Sequence, residues 1–181
     1  MRKIVQAIYV SLDGVVEDPA WTGPFFNDEL AALQHQLLFA SDALVLGRVT
    51  YEGFAASWPS MTHEGDFAER MNTMPKHVAS RTLATTTWNA TLLPDDPVAE
   101  VARLKEGPGG DLLVYGSPTF GDALTAAGLI DEYRIMLFPT VVGSGARLFT
   151  DVKDTALQLN GVITTNTGVA VLTYARAVEG S

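Results

Sequence analysis

The stretch that most constrains this chain is Leu112–Leu124, Leu-Leu-Val-Tyr-Gly-Ser-Pro-Thr-Phe-Gly-Asp-Ala-Leu. Leu112 to Tyr115 form a short apolar run of the kind that makes a buried parallel strand. Gly116 breaks the run, and Ser117-Pro118 supplies a helix-start signal, an N-cap hydroxyl followed by proline at the first helical position. Phe120, Leu124 and Ala127 then carry an apolar helical stripe until Gly128 stops it. A strand, a tight glycine turn and a helix start aim unpaired backbone N–H groups at one point, which makes a site for phosphate.

The two standard phosphate motifs fail on this chain. Gly116 to Gly121 has the spacing of a Walker A loop, but Asp122 stands where its lysine must be, which argues against an ATPase or GTPase. Gly143-Ser144-Gly145 lacks the third glycine of a dinucleotide fingerprint, because Leu148 occupies that place. A dinucleotide, if bound, is held on a fold other than Rossmann.

Composition removes other classes. The 181 residues suffice for one domain over 1–181, and 47% hydrophobic with 18% charged residues describes a folded chain. A net charge of −9 without a Lys/Arg run argues against nucleic acid as a partner. The absence of cysteine excludes disulfides, thiol catalysis and thiolate metal sites. The three histidines, His35, His63 and His77, are scattered, so no metal is expected. No G-x-S-x-G elbow exists, since Val142 stands where Ser144 would need glycine. The apolar run after Met1-Arg2-Lys3 is short and broken by Gln6, so the expectation is a cytoplasmic protein without a membrane segment.

In chain order, Ile4–Leu12 reads as a strand with Val5, Ala7, Tyr9 and Ser11 on one face, ending in the turn Asp13-Gly14. Glu17 to Pro24 reads as a loop holding Trp21, a packing plug or a ligand contact. Asn27 caps a helix striped with Leu30, Leu33, Leu37 and Leu38. Ala43–Leu46 is a second strand, running into Gly47-Arg48-Val49-Thr50-Tyr51-Glu52. Arg48 at that junction suits a pyrophosphate, or pairs with Glu52. Phe67 to Met71 is a short helix. Lys76–Ala79 is a third strand, ending in Ser80-Arg81-Thr82, and Trp88–Leu93 reads as a short strand. Asp96-Pro97 opens a helix through Lys105, and Pro108-Gly109-Gly110 turns into the central stretch. Three strands thus end in Gly-Arg, Ser-Arg or Gly-Ser at the carboxyl edge of one sheet, where open α/β sheets bind ligands. Beyond Gly128, Asp131–Pro139, Gln158–Thr164 and Val169–Ala177 read as an antiparallel annex joined by tight connections.

With these residues in place the chain resembles the dihydrofolate reductase-like superfamily, and more closely the single-domain relatives of the reductase half of the riboflavin-biosynthesis deaminase-reductase (RibD C-terminal-like). The resemblance rests on Ser11-Leu12-Asp13-Gly14, Asp42–Leu46 with Gly47-Arg48-Val49-Thr50-Tyr51-Glu52, Lys76–Thr82, Gly110–Leu124 and Gly128–Phe149. It implies a three-layer α/β fold, a mostly parallel central sheet with antiparallel C-terminal strands, and NADPH as hydride donor. Gly47, Arg48 and Thr50 match the family's strand-to-helix phosphate contact. Ser80 and Arg81 match its contact to the ribose 2′-phosphate, and Gly116, Ser117 and Thr119 its pyrophosphate turn. Ser11, Asp13 and Trp21 are expected to line the substrate side, because the first strand of this fold ends against the nicotinamide.

The sequence departs from the riboflavin reductases in one respect. The helix before the second strand, Gln34-His35-Gln36-Leu37-Leu38-Phe39, carries no arginine to grip a sugar phosphate. Asp28 is the candidate proton-supplying carboxylate, whereas Glu29 reads as a complement to the helix dipole. The expectation is an NADPH-dependent reductase of a small heterocyclic or carbonyl/imine substrate. The rival is a nucleotide-binding protein of the same fold without turnover. The apolar C-terminal run Val169-Ala170-Val171-Leu172 leads us to expect a homodimer.

Overall fold

The computed structural model describes residues 1–61 and 65–177, so His63 lies outside the described residues. Eight strands form one sheet: β1 (Ile4–Ser11), β2 (Ser41–Gly47), β3 (Lys76–Ala79), β4 (Ala90–Leu92), β5 (Asp111–Tyr115), β6 (Glu132–Phe138), β7 (Leu157–Thr164) and β8 (Ala170–Arg176). Their spatial order is β4-β3-β2-β5-β1-β6-β8-β7. The central run of apolar residues at β5 is wedged between β1 and β2, parallel to both. That position explains its composition: Leu112, Leu113 and Val114 are wholly buried because both faces of the strand are covered.

Helices α1 (Asp28–Phe39), α2 (Arg48–Ser57), α3 (Gly65–Thr73), α4 (Pro97–Glu106) and α5 (Pro118–Ala126) supply those covers. On one side Leu30 and Leu38 of α1, Tyr51 of α2 and Met71 of α3 pack against Val5, Ala7, Leu44, Leu46 and Leu113. On the other, Val101 of α4 with Phe120 and Leu124 of α5 pack against Ile4, Ile8, Val45, Leu112 and Val114. Alternate residues of β1 and β5 thus feed two separate cores, and the layers are helix, sheet, helix. Each fully buried leucine stabilises this arrangement by roughly 1.5–3 kcal/mol relative to exposure. Local signals set the helix ends. The Asn27 side chain accepts from Leu30 N at 3.0 Å, and Asp96 accepts from Ala99 N at 3.0 Å ahead of Pro97. Gly128, at φ +69°, closes α5 while Leu129 N reaches Leu124 O at 3.0 Å.

Three expectations need correction. The segment Glu17 to Pro24 is not irregular: Pro19–Phe25 forms a 3-10 helix, started by Pro19 and held by Thr22 Oγ1 donating to Pro19 O at 2.7 Å. Trp88 does not begin a strand. Trp88 and Asn89 turn through φ +55° and +51°, so that the indole Nε1 donates to Asn72 Oδ1 at 2.6 Å, and β4 starts only at Ala90. The third concerns β6, which was expected within an antiparallel annex. It runs parallel to β1, as the α5 crossover requires, and only its other edge pairs antiparallel, with β8. The connection from β6 to β7 is correspondingly long, covering residues 139–156.

One buried charge is unusual. Lys76, 1% exposed, opens β3; its Nζ donates to Asn72 O at 3.2 Å and sits 4.0 Å from the centre of the Trp88 ring, with no carboxylate salt bridge among the described residues. Burial lowers its ammonium from 10.5 to about 8. Because the folded value is depressed, the unfolded chain binds the extra proton between those limits, and the wild type gains stability as pH rises from about 8 to 10.5. Lys76→Met should therefore melt above wild type at pH 7, with the gap closing by pH 10.5, as thermal denaturation across that range will read.

Candidate functional site

Connections out of the sheet diverge between β2 and β5. The chain leaves β2 through α2 toward β3 on one flank, and leaves β5 through α5 toward β6 on the other. The crevice between two such carboxyl ends is where open α/β sheets take ligands.

At this crevice two strand-to-helix corners are joined side to side. Gly116 and Ser117 both adopt left-handed backbone, at φ +51° and +52°. Glycine accepts that conformation without strain; Ser117 is held in it by bonds. Its Oγ donates to Tyr115 O at 2.9 Å and accepts from Gly47 N at 2.9 Å, while its own N–H donates to Thr50 Oγ1 at 3.1 Å. The expectation that the Ser117 hydroxyl caps α5 is therefore corrected: the hydroxyl is drawn away to the neighbouring corner, and α5 has no side-chain cap. Neither has α2. Gly47 approaches α5 closely, a Cβ there standing 3.5 Å from Phe120 Cβ.

The first-turn N–H groups of both helices, Arg48 to Thr50 and Thr119 to Phe120, consequently stay open at one place. Helices α1, α3 and α4 carry acidic residues in their first turns, Asp28 and Glu29, Asp66, and Glu100. Helices α2 and α5 carry none. An acid there would compete with an arriving anion for the positive end of the dipole.

The third corner follows β3. Ser80 Oγ accepts from Thr82 N at 3.1 Å and Leu83 N at 3.0 Å, which curls the chain and leaves the hydroxyl proton without an acceptor among the described residues. Arg81 is exposed and makes no salt bridge or side-chain hydrogen bond among the described residues. The segment beyond it is fixed to α2, since Thr87 N donates to Tyr51 Oη at 2.8 Å. Arg48, also exposed, is paired with Glu52 at 2.9 Å, the second of the two fates its position allows.

The residues expected on the substrate side have mixed surroundings. Ser11 is wholly buried, its Oγ donating to Asp13 Oδ1 at 2.6 Å and accepting from Val15 N at 2.9 Å. Asp13 also accepts from Val142 N at 3.1 Å and Gly143 N at 2.8 Å, anchoring the loop after β6. The Ser11 hydroxyl and these amides hold its carboxyl at about 2, below its usual 3.8. Trp21 is half-buried and packs edge-on against Phe138 at 5.7 Å. Asp28 lies exposed in the first turn of α1, without a side-chain hydrogen bond among the described residues.

Sequence reasoning passed over one cluster. Gln34 on α1 is 5% exposed; its Nε2 donates to the Tyr9 hydroxyl at 2.6 Å, and the Tyr115 hydroxyl stands 3.5 Å from its main-chain carbonyl. The available signal was an amide interrupting a leucine stripe, four residues after Leu30.

The RibD C-terminal domain family model matches residues 2–171. The chain belongs to that family. It is 27% identical over 182 aligned positions to the YyaP protein of Bacillus subtilis (strain 168), covering 96% of this chain and 94% of that one. Its fold is similar to that of a putative riboflavin biosynthesis protein from Shewanella sp. PV-4, with TM-score 0.75 at 21% identity, covering 97% of this chain and 99% of the other. It is also similar to the dihydrofolate reductase of Enterococcus faecalis complexed with NADP(H), with TM-score 0.63 at 14% identity and 96% of each chain covered. The fold is thus dihydrofolate reductase-like.

Removing the joining hydroxyl tests the site's construction. Ser117→Ala leaves Gly47 N without its acceptor and should cost about 1–3 kcal/mol of stability, read by denaturant unfolding.

Proposed function

We propose that this protein is an NADPH-dependent reductase of a small heterocyclic or carbonyl/imine substrate. The observation that carries the reading is the meeting of two helix N-termini, free of caps and of first-turn acids, at the point where the sheet's connections diverge. Membership in the RibD C-terminal domain family and the likeness to a dihydrofolate reductase complexed with NADP(H) support it.

The residues present fit a phosphorylated dinucleotide. The open amides of Arg48 to Thr50 and of Thr119 to Phe120 would hold the pyrophosphate, with Gly47 and Gly116 letting the backbone come close. Arg81 and the Ser80 hydroxyl would share the oxygens of the ribose 2′-phosphate. Arg48 would leave Glu52 to join them. The bound nicotinamide supplies hydride chemistry; the chain binds, orients and keeps water from the reacting faces. Asp13 and Ser11 contribute by fixing the loop that follows β6, and Trp21 contributes an aromatic wall. Asp28, exposed in the first turn of α1, would be the carboxylate that passes a proton in from solvent. A rival reading, nucleotide binding without turnover, draws on the internal bonding of Ser11 and Asp13. Oxidation of NADPH against pterins, flavin precursors and quinones separates the two.

The protein is proposed to act as a homodimer. The edge strand β7 exposes Leu159 at 49% and Val162 at 51% on one face and Ile163 at 46% on the other, apolar surface at the sheet edge that a second copy would cover. Sedimentation at tens of micromolar should give twice the chain mass, and a monomer there removes the dimer.

Cofactor choice is the sharper test. Losing the charge-assisted contact in Arg81→Ala should cost about 1.5–3 kcal/mol of NADPH binding, tenfold to more than a hundredfold in affinity. NADH offers nothing for Arg81 to hold and should bind wild type and variant alike. Calorimetric titration of both proteins with both cofactors checks this. Equal weakening would make Arg81 structural, and wild-type indifference between the cofactors would remove the phosphate pocket.

A further inference from the structure

Arg48 stands where helix electrostatics alone would not put a cation. It is the first residue of α2, whose first turn has no side-chain cap, so its guanidinium adjoins the positive end of a helix dipole. The single carboxylate of α2, Glu52, lies one turn further on and meets it: Arg48 Nη1 donates to Glu52 Oε2 at 2.9 Å. A cation ahead of its anion is the weaker order for such a pair on a helix, because the cation opposes the dipole.

The pair is also open to water. The two side chains are 44% and 45% exposed, and a pair of this kind adds little to stability. Glutamine at 52 would serve the helix about as well, since its propensity matches that of glutamate. Neither the helix nor the core therefore asks for this carboxylate. The other acid on the two helices that open here is turned elsewhere. Asp122 of α5 is buried, and its Oδ2 accepts from Thr150 Oγ1 at 3.3 Å and from Asp151 N at 3.1 Å. Of α2 and α5, then, the first turns are clear of acids, and the one exposed carboxylate sits within reach of Arg48.

We infer that Glu52 is an internal counter-ion, which stands in for a ligand's phosphate on Arg48 and gives way when that phosphate arrives. The inference rests on the cofactor reading for what the phosphate belongs to. In the exchange Arg48 gives up one contact to a carboxylate and takes up contacts to phosphate oxygens, which a guanidinium binds in pairs. Binding gains only the difference between the two, so Glu52 lowers affinity. It also leaves a carboxylate beside the bound anion, ready to recapture Arg48, and this shortens the ligand's stay. Reduced and oxidised cofactor carry the same phosphates, so both are weakened alike. Glu52 is thus a positioning residue that governs release and not the choice between ligands.

The test is calorimetric titration of wild type, Glu52→Gln, Arg48→Ala and the double variant. The ligands are NADPH and adenosine 2′,5′-bisphosphate, which has phosphates and no nicotinamide. Glu52→Gln should bind both about fivefold tighter than wild type, with most of the change in the dissociation rate measured by stopped flow. Arg48→Ala should bind both roughly tenfold more weakly. Adding Glu52→Gln to Arg48→Ala should bring little further gain, because no guanidinium is left to withhold. Unchanged or weaker binding by Glu52→Gln would overturn the counter-ion. So would an equal gain with and without Arg48, or no binding of the bisphosphate by any of these proteins. NADPH oxidation is read separately. Its absence beside the expected bisphosphate result would remove the reductase and leave Glu52 in its role.

Discussion

The Ser117 hydroxyl is the contact on which the rest of this molecule's chemistry depends. Between β2 and β5 the chain must send one helix to each face of the sheet, so nothing in the connectivity itself holds the two corners together. Two hydroxyls do so: Ser117 Oγ donates to Tyr115 O and accepts from Gly47 N, and Thr50 Oγ1 accepts from Ser117 N. The consequence reaches beyond geometry. A serine at a helix start normally satisfies an amide of its own helix. Here it satisfies an amide of the other corner, and α5 is left with its first turn open. The same three bonds that fix the crevice therefore also keep its anion-binding groups free.

On the proposed reading that crevice has to attract a phosphate to a protein of net charge −9. Screening confines the influence of distant charges to about 8–10 Å at ordinary ionic strength, so the groups at the edge decide the local field. Two helix N-termini contribute about half a positive charge each, and Arg48 and Arg81 stand at the adjoining corners. The acids are distributed accordingly. They complement the dipoles of α1, α3 and α4 and are missing from the first turns of α2 and α5. The overall charge thus leaves the site's polarity intact.

The fold was legible because its signals were local and agreed with one another. The apolar run Leu112–Tyr115, the caps Asn27 and Asp96, and the stop at Gly128 each state an element's type or end in a few residues. Misreadings fell where a distant partner decided the local conformation. Trp88 takes a left-handed backbone because its ring is required by Asn72 and Lys76. The direction of β6 follows from the α5 crossover and not from its own residues. Ser117 shows the same limit at the site: its sequence context announces a cap, and only Gly47, 70 residues away, reveals the other use of the hydroxyl. Tyr9 and Gln34 were illegible for a related reason, since a tyrosine on a strand face and a glutamine in a helix acquire meaning only as neighbours.

Buried polar groups finally separate by what surrounds them. Gln6 resembles Gln34 at first sight, being 1% exposed with both amide atoms unpartnered. It sits in the middle of β1 beneath α5, so close to Gly121 that a Cβ there would collide with its amide nitrogen. Its role is spatial: it fills the groove that a glycine opens in the helix. Gln34 has a polar neighbour in Tyr9, whose hydroxyl takes its amide N–H at 2.6 Å. An unpaired polar atom sealed on every side is a tolerated cost of packing. Gln34 instead ties α1 to β1 through the Tyr9 hydroxyl, and this bond separates it from Gln6, neither of whose amide atoms has a partner.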